Sequence, residues 1–432
     1  MEQQKYSGIE WVGMIPQRWK VAPIGAYFYE VLNKNYDGAV KKALKFTYGN
    51  IVEKNNFDAD SDEYVSSTIR KYTVVEPGTI MLNGLNLNFD FVTQRIGLVN
   101  TKGVITSSYV AFKSINEEYY NSKYANYLFK SYDFCKAFHN MGGGVRKILN
   151  FGELRKQYCV IPPINEQKAI VDFLDNKCSE IDSIVADIKK EILILEDYKK
   201  AVIDEAVTKG IVPKVKMKKS GILWNEFYPS NWSIKKLKYI TINSRKGKGI
   251  TKEQVVNDGE LPCVRYGEIY SKYDSVITKC LSNTKKSFLS SIQYAKKGDI
   301  LFAATGELIE EIGKNVLFDV EQECAIGGDI IIVTQNQNPS FINYALNSSY
   351  CQGQKSIGKA KLKVVHISAS DILNIVLFLP PISEQNRIVS YLDDRCLQIK
   401  KVMTEKQSQL ELLAEYKKSL IYEYVTGKKE VI

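Results

Sequence analysis

One stretch of this chain occurs twice. Ile161–Asp175 reads IPPINEQKAIVDFLD, and Leu379–Asp393, 218 positions later, reads LPPISEQNRIVSYLD. The offset holds without a gap through Cys178/Cys396, Ile181/Ile399, DYKK (197–200) against EYKK (415–418), and Val207-Thr208 against Val425-Thr426. Upstream the register drifts, but the echo continues. SGIEWVGMIPQRWKV (7–21) answers SGILWNEFYPSNWSI (220–234), with Trp11/Trp224, Pro16/Pro229 and Trp19/Trp232 in step, and FTYGNI (46–51) answers VRYGEI (264–269). Solenoid repeats run to roughly 20–50 residues. Here each copy has about 200 residues, the size of a domain, so the chain is a tandem duplication that must fold the same frame twice.

The repeated stretch opens with Pro-Pro, which fixes an extended backbone. Asn165 and Ser383 are expected as helix N-caps, with Glu166 and Glu384 at the positive end of the helix dipole. Beyond them an apolar residue recurs every seventh position: Leu174, Ile181, Ile188, Leu195 and Val202 in the first copy, and Leu392, Ile399, Leu413 and Leu420 in the second. Ile170, Ile184 and Tyr198 are expected to fill a companion seam, as are Ile388, Val402 and Tyr416. Lys406 and Gln409 interrupt the second copy. No Gly or Pro breaks either segment. Such heptads predict two long helices, ~65 Å for ~44 residues, pairing as a coiled coil. The alternative is that each helix folds back on its own domain.

The intervening segments are rich in Val, Ile, Thr, Tyr and Phe punctuated by Gly and Asn, as in GTIML, VITSSYVAFK, GDILFAA and GGDIIIVT, and each ends in a helical patch. The expected fold class is α+β: two globular mixed α/β domains (1–160 and 211–378) alternating with two long helical segments (161–210 and 379–432). The helices would run antiparallel about a pseudo-two-fold axis.

Charge separates the segments further. The net charge is +10, and it is uneven: residues 1–163 carry +5 and 210–381 carry +8, while the helical stretches 164–209 and 382–426 carry −4 and zero. Basic globular segments suit a polyanionic partner, although a solvated basic surface has the same composition. Glycine lets a backbone approach a phosphate chain, and Arg or Lys neutralises it. Three loops combine the two: MGGGVRKIL (141–149), NSRKGKGIT (243–251) and IGKAKLKVV (357–365). They nominate Arg146, Lys147, Arg245, Lys246, Lys248, Lys359, Lys361 and Lys363 for phosphate contact. Tyr48, Arg265 and Tyr266 are candidates near base edges, since Arg bonds guanine in a bidentate manner.

Other chemistries lack their signatures. The eight cysteines are scattered without a C-x-x-C, which suits a reduced, cytoplasmic protein. The two histidines, His139 and His366, sit in no zinc motif. The chain has no Walker A sequence, no run of about 18 apolar residues, and no aromatic after its Pro-Pro pairs of the kind DNA amino-methyltransferases carry.

A basic globular domain, PPINEQ and a long helix, followed by a basic globular domain, PPISEQ and a long helix, resembles the specificity subunit of type I restriction-modification systems over essentially the whole chain. The openings SGIEWVGMIPQRWKV, TYGNI and RYGEI are similar too. The resemblance implies a non-catalytic reader of a bipartite, asymmetric duplex DNA target. Each globular domain would be a target recognition domain, and the helices a spacer and a docking surface for two methyltransferase subunits, with restriction/translocase subunits joining them. S-adenosylmethionine, ATP and Mg would belong to those partners, with no cofactor on this chain and no membrane. A stand-alone DNA-binding coiled-coil protein and an enzyme with an unrecognised site remain as alternatives.

Overall fold

The computed structural model describes every residue except 1–2, 56–57, 60, 62, 93, 146, 223–224, 360–363 and 432. Arg146, Lys361, Lys363 and Trp224 therefore lie outside the described residues. Two compact units emerge: residues 1–188 with 407–432, and residues 189–406. The expected segments alternate along the chain, whereas compactness divides both long helices between the units. A helix with a narrow apolar stripe is stable only where something covers that stripe, and each end of each helix is covered by a globular head.

In the first unit Phe28–Glu30, Val110–Ser114, Ile80–Leu82 and Ile96–Leu98 form an antiparallel sheet in that order. Helix Ser122–Phe134 lies on it, capped by the Asn121 side chain on the Tyr124 N–H. Phe129 of this helix meets Phe28 and Phe112 at 5.6 and 5.4 Å between ring centres. The second unit repeats the order with Thr241–Lys246, Ile330–Gln335, Ile300–Ala303 and Asn315–Phe318, and adds Val276–Ile277 in parallel at the edge. Its helix Pro339–Leu346 is capped by Asn338 in the same way.

The long helices span Ile164–Lys209 and Ile382–Val425. Both begin one residue before the expected caps. The carbonyls of Pro163 and Pro381 accept the first helical bonds, from Gln167 N–H at 3.0 Å and Gln385 N–H at 2.9 Å. Asn165 and Ser383 are thus first-turn residues rather than caps, because a proline with fixed φ already presents its carbonyl to the helix. Both helices end on a glycine with positive φ, Gly210 (+79°) and Gly427 (+69°), the left-handed C-terminal cap.

Within each unit the helices run antiparallel. The first unit pairs Lys417 with Asp182 at 2.5 Å and stacks Phe173 on Tyr424 at 4.4 Å. The second joins Lys406 to Glu191, and Arg395 donates to the Tyr198 hydroxyl at 2.8 Å. In the seven-residue column Leu174, Ile181, Ile188, Val202, Leu392, Ile399 and Leu420 are buried, and Leu195 and Leu413 half-buried.

The companion seam differs. Ile170 and Ile388 are buried against the heads, but Ile184, Tyr198, Val402 and Tyr416 are exposed. The covered column lies four residues after each seam residue, not three: Val171, Cys178, Val185, Ile192, Lys199 and Ala206, and equivalently Val389, Cys396, Met403, Leu410, Lys417 and Tyr424. Lys199 and Lys417 disguise this column in the sequence. Their side chains are largely covered while the ammonium groups reach Asp274 (3.8 Å) and Asp182. Among the described residues no helix is long and apolar enough to cross a membrane.

Candidate nucleic-acid interface

The repeated motifs meet at the joint between head and helix. The strand leading into each helix, Tyr158–Ile161 or Val376–Leu379, pairs antiparallel with the strand after the repeated Trp, Lys20–Pro23 or Ser233–Lys236. In the first copy Glu166 accepts from Arg18 Nε and Nη2 (3.0 and 2.9 Å) and from the buried Trp19 Nε1 (2.9 Å). In the second, Glu384 accepts from Asn231 Nδ2 (3.1 Å), while Trp232 Nε1 is buried without a hydrogen-bond partner among the described residues.

Gln167 and Gln385 are fully buried and act alike. Each Oε1 accepts the backbone N–H of the head helix's cap residue, Asn121 (2.8 Å) or Asn338 (3.0 Å). Each Nε2 donates to the first proline's carbonyl, Pro162 or Pro380, at 2.9 Å. Asp175 and Asp393 complete the joint by accepting from Tyr127 (2.8 Å) and Tyr344 (2.7 Å). Those contacts raise both phenols: burial is the larger cause, and the neighbouring carboxylate adds to it. The repeated stretches contain both tryptophans, glutamates, glutamines and aspartates, but Asn121, Asn338, Tyr127 and Tyr344 lie outside them, and only the fold shows that they touch.

In the second head three loops converge on one sheet edge. Gly247 N–H donates to Ile330 O, Lys248 N–H to Ile326 O and Gly327 N–H to Val264 O, at 2.8–2.9 Å. A Cβ on Gly247 would overlap the Gly327 carbonyl, so glycine is required for this approach. Lys246, Lys248, Arg265 and Tyr266 are thereby brought together. Lys246 and Lys248 are exposed, and Lys246 has only a long contact with Asp329, 3.7 Å. Arg265 bonds Ile250 O through Nε at 3.2 Å, and the adjacent short helix is held by buried Glu268. Burial pushes that carboxyl up, but bonds from Lys272, Ser282 and the Arg265 N–H outweigh it and hold it below the usual carboxylate range.

Two candidates are occupied elsewhere. Arg245 is an internal residue: its guanidinium bonds Asp299 (2.6 Å), Thr334 Oγ1 (2.9 Å) and Tyr294 O (3.0 Å), and Asp299 is 2% exposed. Strand alternation turns Arg245 inward where Lys246 points out. Lys359 bonds Asp371 at 2.8 Å beside a helix N-terminus and is largely covered.

In the first head Tyr48 occupies, with Gly49, the two-residue turn between Leu44–Thr47 and Asn50–Glu53, at φ +46° and 80% exposed. Lys147, also exposed, sits at φ +35° in the turn closed by the Gly143/Ile148 bridge. Beside it runs a loop that sequence reading passed over, between the strands ending at Leu82 and beginning at Ile96. It is organised by Arg95, whose side chain is fully buried.

Comparison with known proteins places this architecture. The model of the type I restriction modification DNA specificity domain matches residues 25–193 and again 229–412. The chain is 23% identical over 428 residues to the type I restriction enzyme MjaVIII specificity subunit of Methanocaldococcus jannaschii, covering 96% of this chain and 94% of that protein. It is 25% identical over 234 residues to the EcoKI specificity subunit of Escherichia coli K12, covering 53% of this chain and 48% of that one. In fold it is similar to a chain from a structure concerned with complex assembly and conformational transition of the type I R-M system (TM-score 0.71, 16% identity, 96% of this chain and 99% of that one). It is also similar to the HsdS subunit from Thermoanaerobacter tengcongensis (TM-score 0.51, 15% identity, 96% and 98%). The chain belongs to the type I restriction-modification DNA specificity family, as a non-catalytic subunit of DNA recognition.

Proposed function

We propose that residues 1–160 and 211–378 are two target recognition domains, each reading one half of a split, asymmetric duplex DNA target. The observation that carries this reading is the joint built twice. Gln167/Gln385 and Asp175/Asp393 hold the two heads, which share a four-strand order, in the same way, with Glu166/Glu384 at equivalent places, while the loops at the heads' edges differ. A common frame with unlike reading loops yields two unlike half-sites. Lys147, Lys246 and Lys248 supply phosphate contacts that fix register, and Tyr48, Arg265 and Tyr266 lie where base edges are read.

The helical segments 161–210 and 379–432 set the gap between half-sites and seat two modification subunits. Each unit carries an equivalent exposed apolar pair on its helices, Ile184 with Tyr416 and Val402 with Tyr198, and equivalent patches suit two copies of one partner. Restriction subunits join that assembly. S-adenosylmethionine, ATP and Mg act on those partners in the cytoplasm, where the DNA is.

The test is a ruler experiment. Four residues inserted after Ala186 lengthen the first helix by ~6 Å. With base pairs ~3.4 Å apart, the gap in the methylated target, mapped with the modification subunit present, grows by one or two base pairs. An unchanged gap refutes the ruler.

A further inference from the structure

The first head's loop from Asn83 to Arg95 has the build of a rigid apolar projection. Arg95 Nη1 donates to Asn83 O (2.9 Å) and Leu85 O (2.8 Å), and Nη2 donates to Asp90 O (2.7 Å). Its backbone N–H donates to Asp133 Oδ2 at 2.7 Å. The loop is zipped to the neighbouring glycine loop by Leu87 N–H to Lys147 O (3.2 Å), Leu149 N–H to Gly84 O (2.9 Å) and Asn88 Nδ2 to Val145 O (2.8 Å). Phe91 is anchored on the His139 ring, 4.6 Å away and nearly parallel. What this scaffold presents outward is Phe89 (79% exposed), Val92 (91%) and Val145 (95%).

Large apolar side chains clustered on a loop braced by a buried arginine suit an occupant that gains from them. The charge around them selects it. The segments 83–95 and 141–149 contain one carboxylate, Asp90, which faces Arg95 Nη2 at 3.7 Å, and Lys147 is exposed beside Val145. The corresponding connection in the second head, between Ile300–Ala303 and Asn315–Phe318, is built oppositely. It exposes Leu308 among Glu307, Glu310 and Glu311, which phosphates would repel.

We infer that Phe89 and Val92 form an apolar wedge that enters the base stack of the first half-site, and that the second head reads its half-site without one. Side chains inserted at a base step unstack it and bend the duplex, so the first half-site is read partly through how easily it opens. The inference rests on the reading that this head binds the first half-site.

The experiment uses the full chain with its modification subunit and duplexes of the mapped target, carrying 2-aminopurine at successive positions that are neither a methylated adenine nor its neighbour, because a methyltransferase unstacks its own target base. Among these positions binding raises the fluorescence at a step in the first half-site and at none in the second. The double variant Phe89→Ala/Val92→Ala removes the rise and weakens binding about tenfold, the scale of one lost aromatic–base stack, while footprint protection of the second half-site persists. Phe89→Leu restores part of the rise. Normal protection of both half-sites with no rise in the wild type overturns the wedge and leaves the half-site reading standing. Binding with neither half-site protected overturns the half-site reading itself. A variant that keeps the rise but no longer retains the modification subunit shows that the loop contacts protein, and overturns the wedge.

Discussion

Glu166→Ala and Glu384→Ala remove equivalent carboxylates, and the structure expects unequal damage. Glu166 is the acceptor for the Trp19 indole N–H, and Trp19 is fully buried. Stranding that donor costs about 1–3 kcal/mol. The bonds from Arg18 add less, because its side chain is 40% exposed; a screened pair of this kind contributes at most about 1 kcal/mol. The first joint should therefore lose roughly 1–4 kcal/mol. At the second joint Trp232 Nε1 has no acceptor to lose, and removing Glu384 costs only the Asn231 bond, about 0.5–1.5 kcal/mol. Glu166→Gln keeps an acceptor for Trp19 and should fall between the two. Hydrogen exchange with mass spectrometry reads each joint separately. Glu166→Ala should speed exchange in Lys20–Pro23 and Tyr158–Ile161 more than Glu384→Ala does in Ser233–Lys236 and Val376–Leu379. Equal acceleration at the two joints would refute the assignment of the indole bond as the dominant contribution.

Three further outcomes follow from named contacts. Lys246→Ala with Lys248→Ala should flatten the slope of log affinity against log salt by up to about 2, whereas Arg245→Ala should instead unfold the second head, since stranding buried Asp299 costs about 3–5 kcal/mol; salt titration and thermal melts distinguish them. Lys355 is buried, with Asn315 Oδ1 and Leu346 O its oxygen partners among the described residues, both at 2.8 Å, and burial lowers its ammonium pKa to about 8. The unfolded chain then binds the extra proton between pH 8 and 10.5, so stability rises with pH across that window by up to about 3 kcal/mol; measured against Lys355→Met, a wild-type advantage that does not grow from pH 8 to 10 refutes this. Val185→Asp should loosen the helix pair, measured by helix melting, while Ile184→Asp should leave the melt unchanged and weaken co-purification with the modification subunit.

The sequence by itself determined the periodic and the covalent: the duplication, both long helices, the alternation of basic heads with neutral or acidic rods, and the family. Each of these depends on local spacing or on summed charge, which the chain carries wherever it folds. Tertiary structure decided what depends on partners distant in sequence. Lys199 and Lys417 hid the companion seam because a lysine stem buries like an apolar residue once its ammonium finds Asp274 or Asp182. Arg245 and Lys246 are adjacent cations, yet only the pairing of their strand fixes which one meets Asp299 inside and which meets solvent. Glu166 and Trp19 lie 147 positions apart, and no spacing rule links them. Arg95 reads as one more surface cation until the loop it braces is seen closing over it.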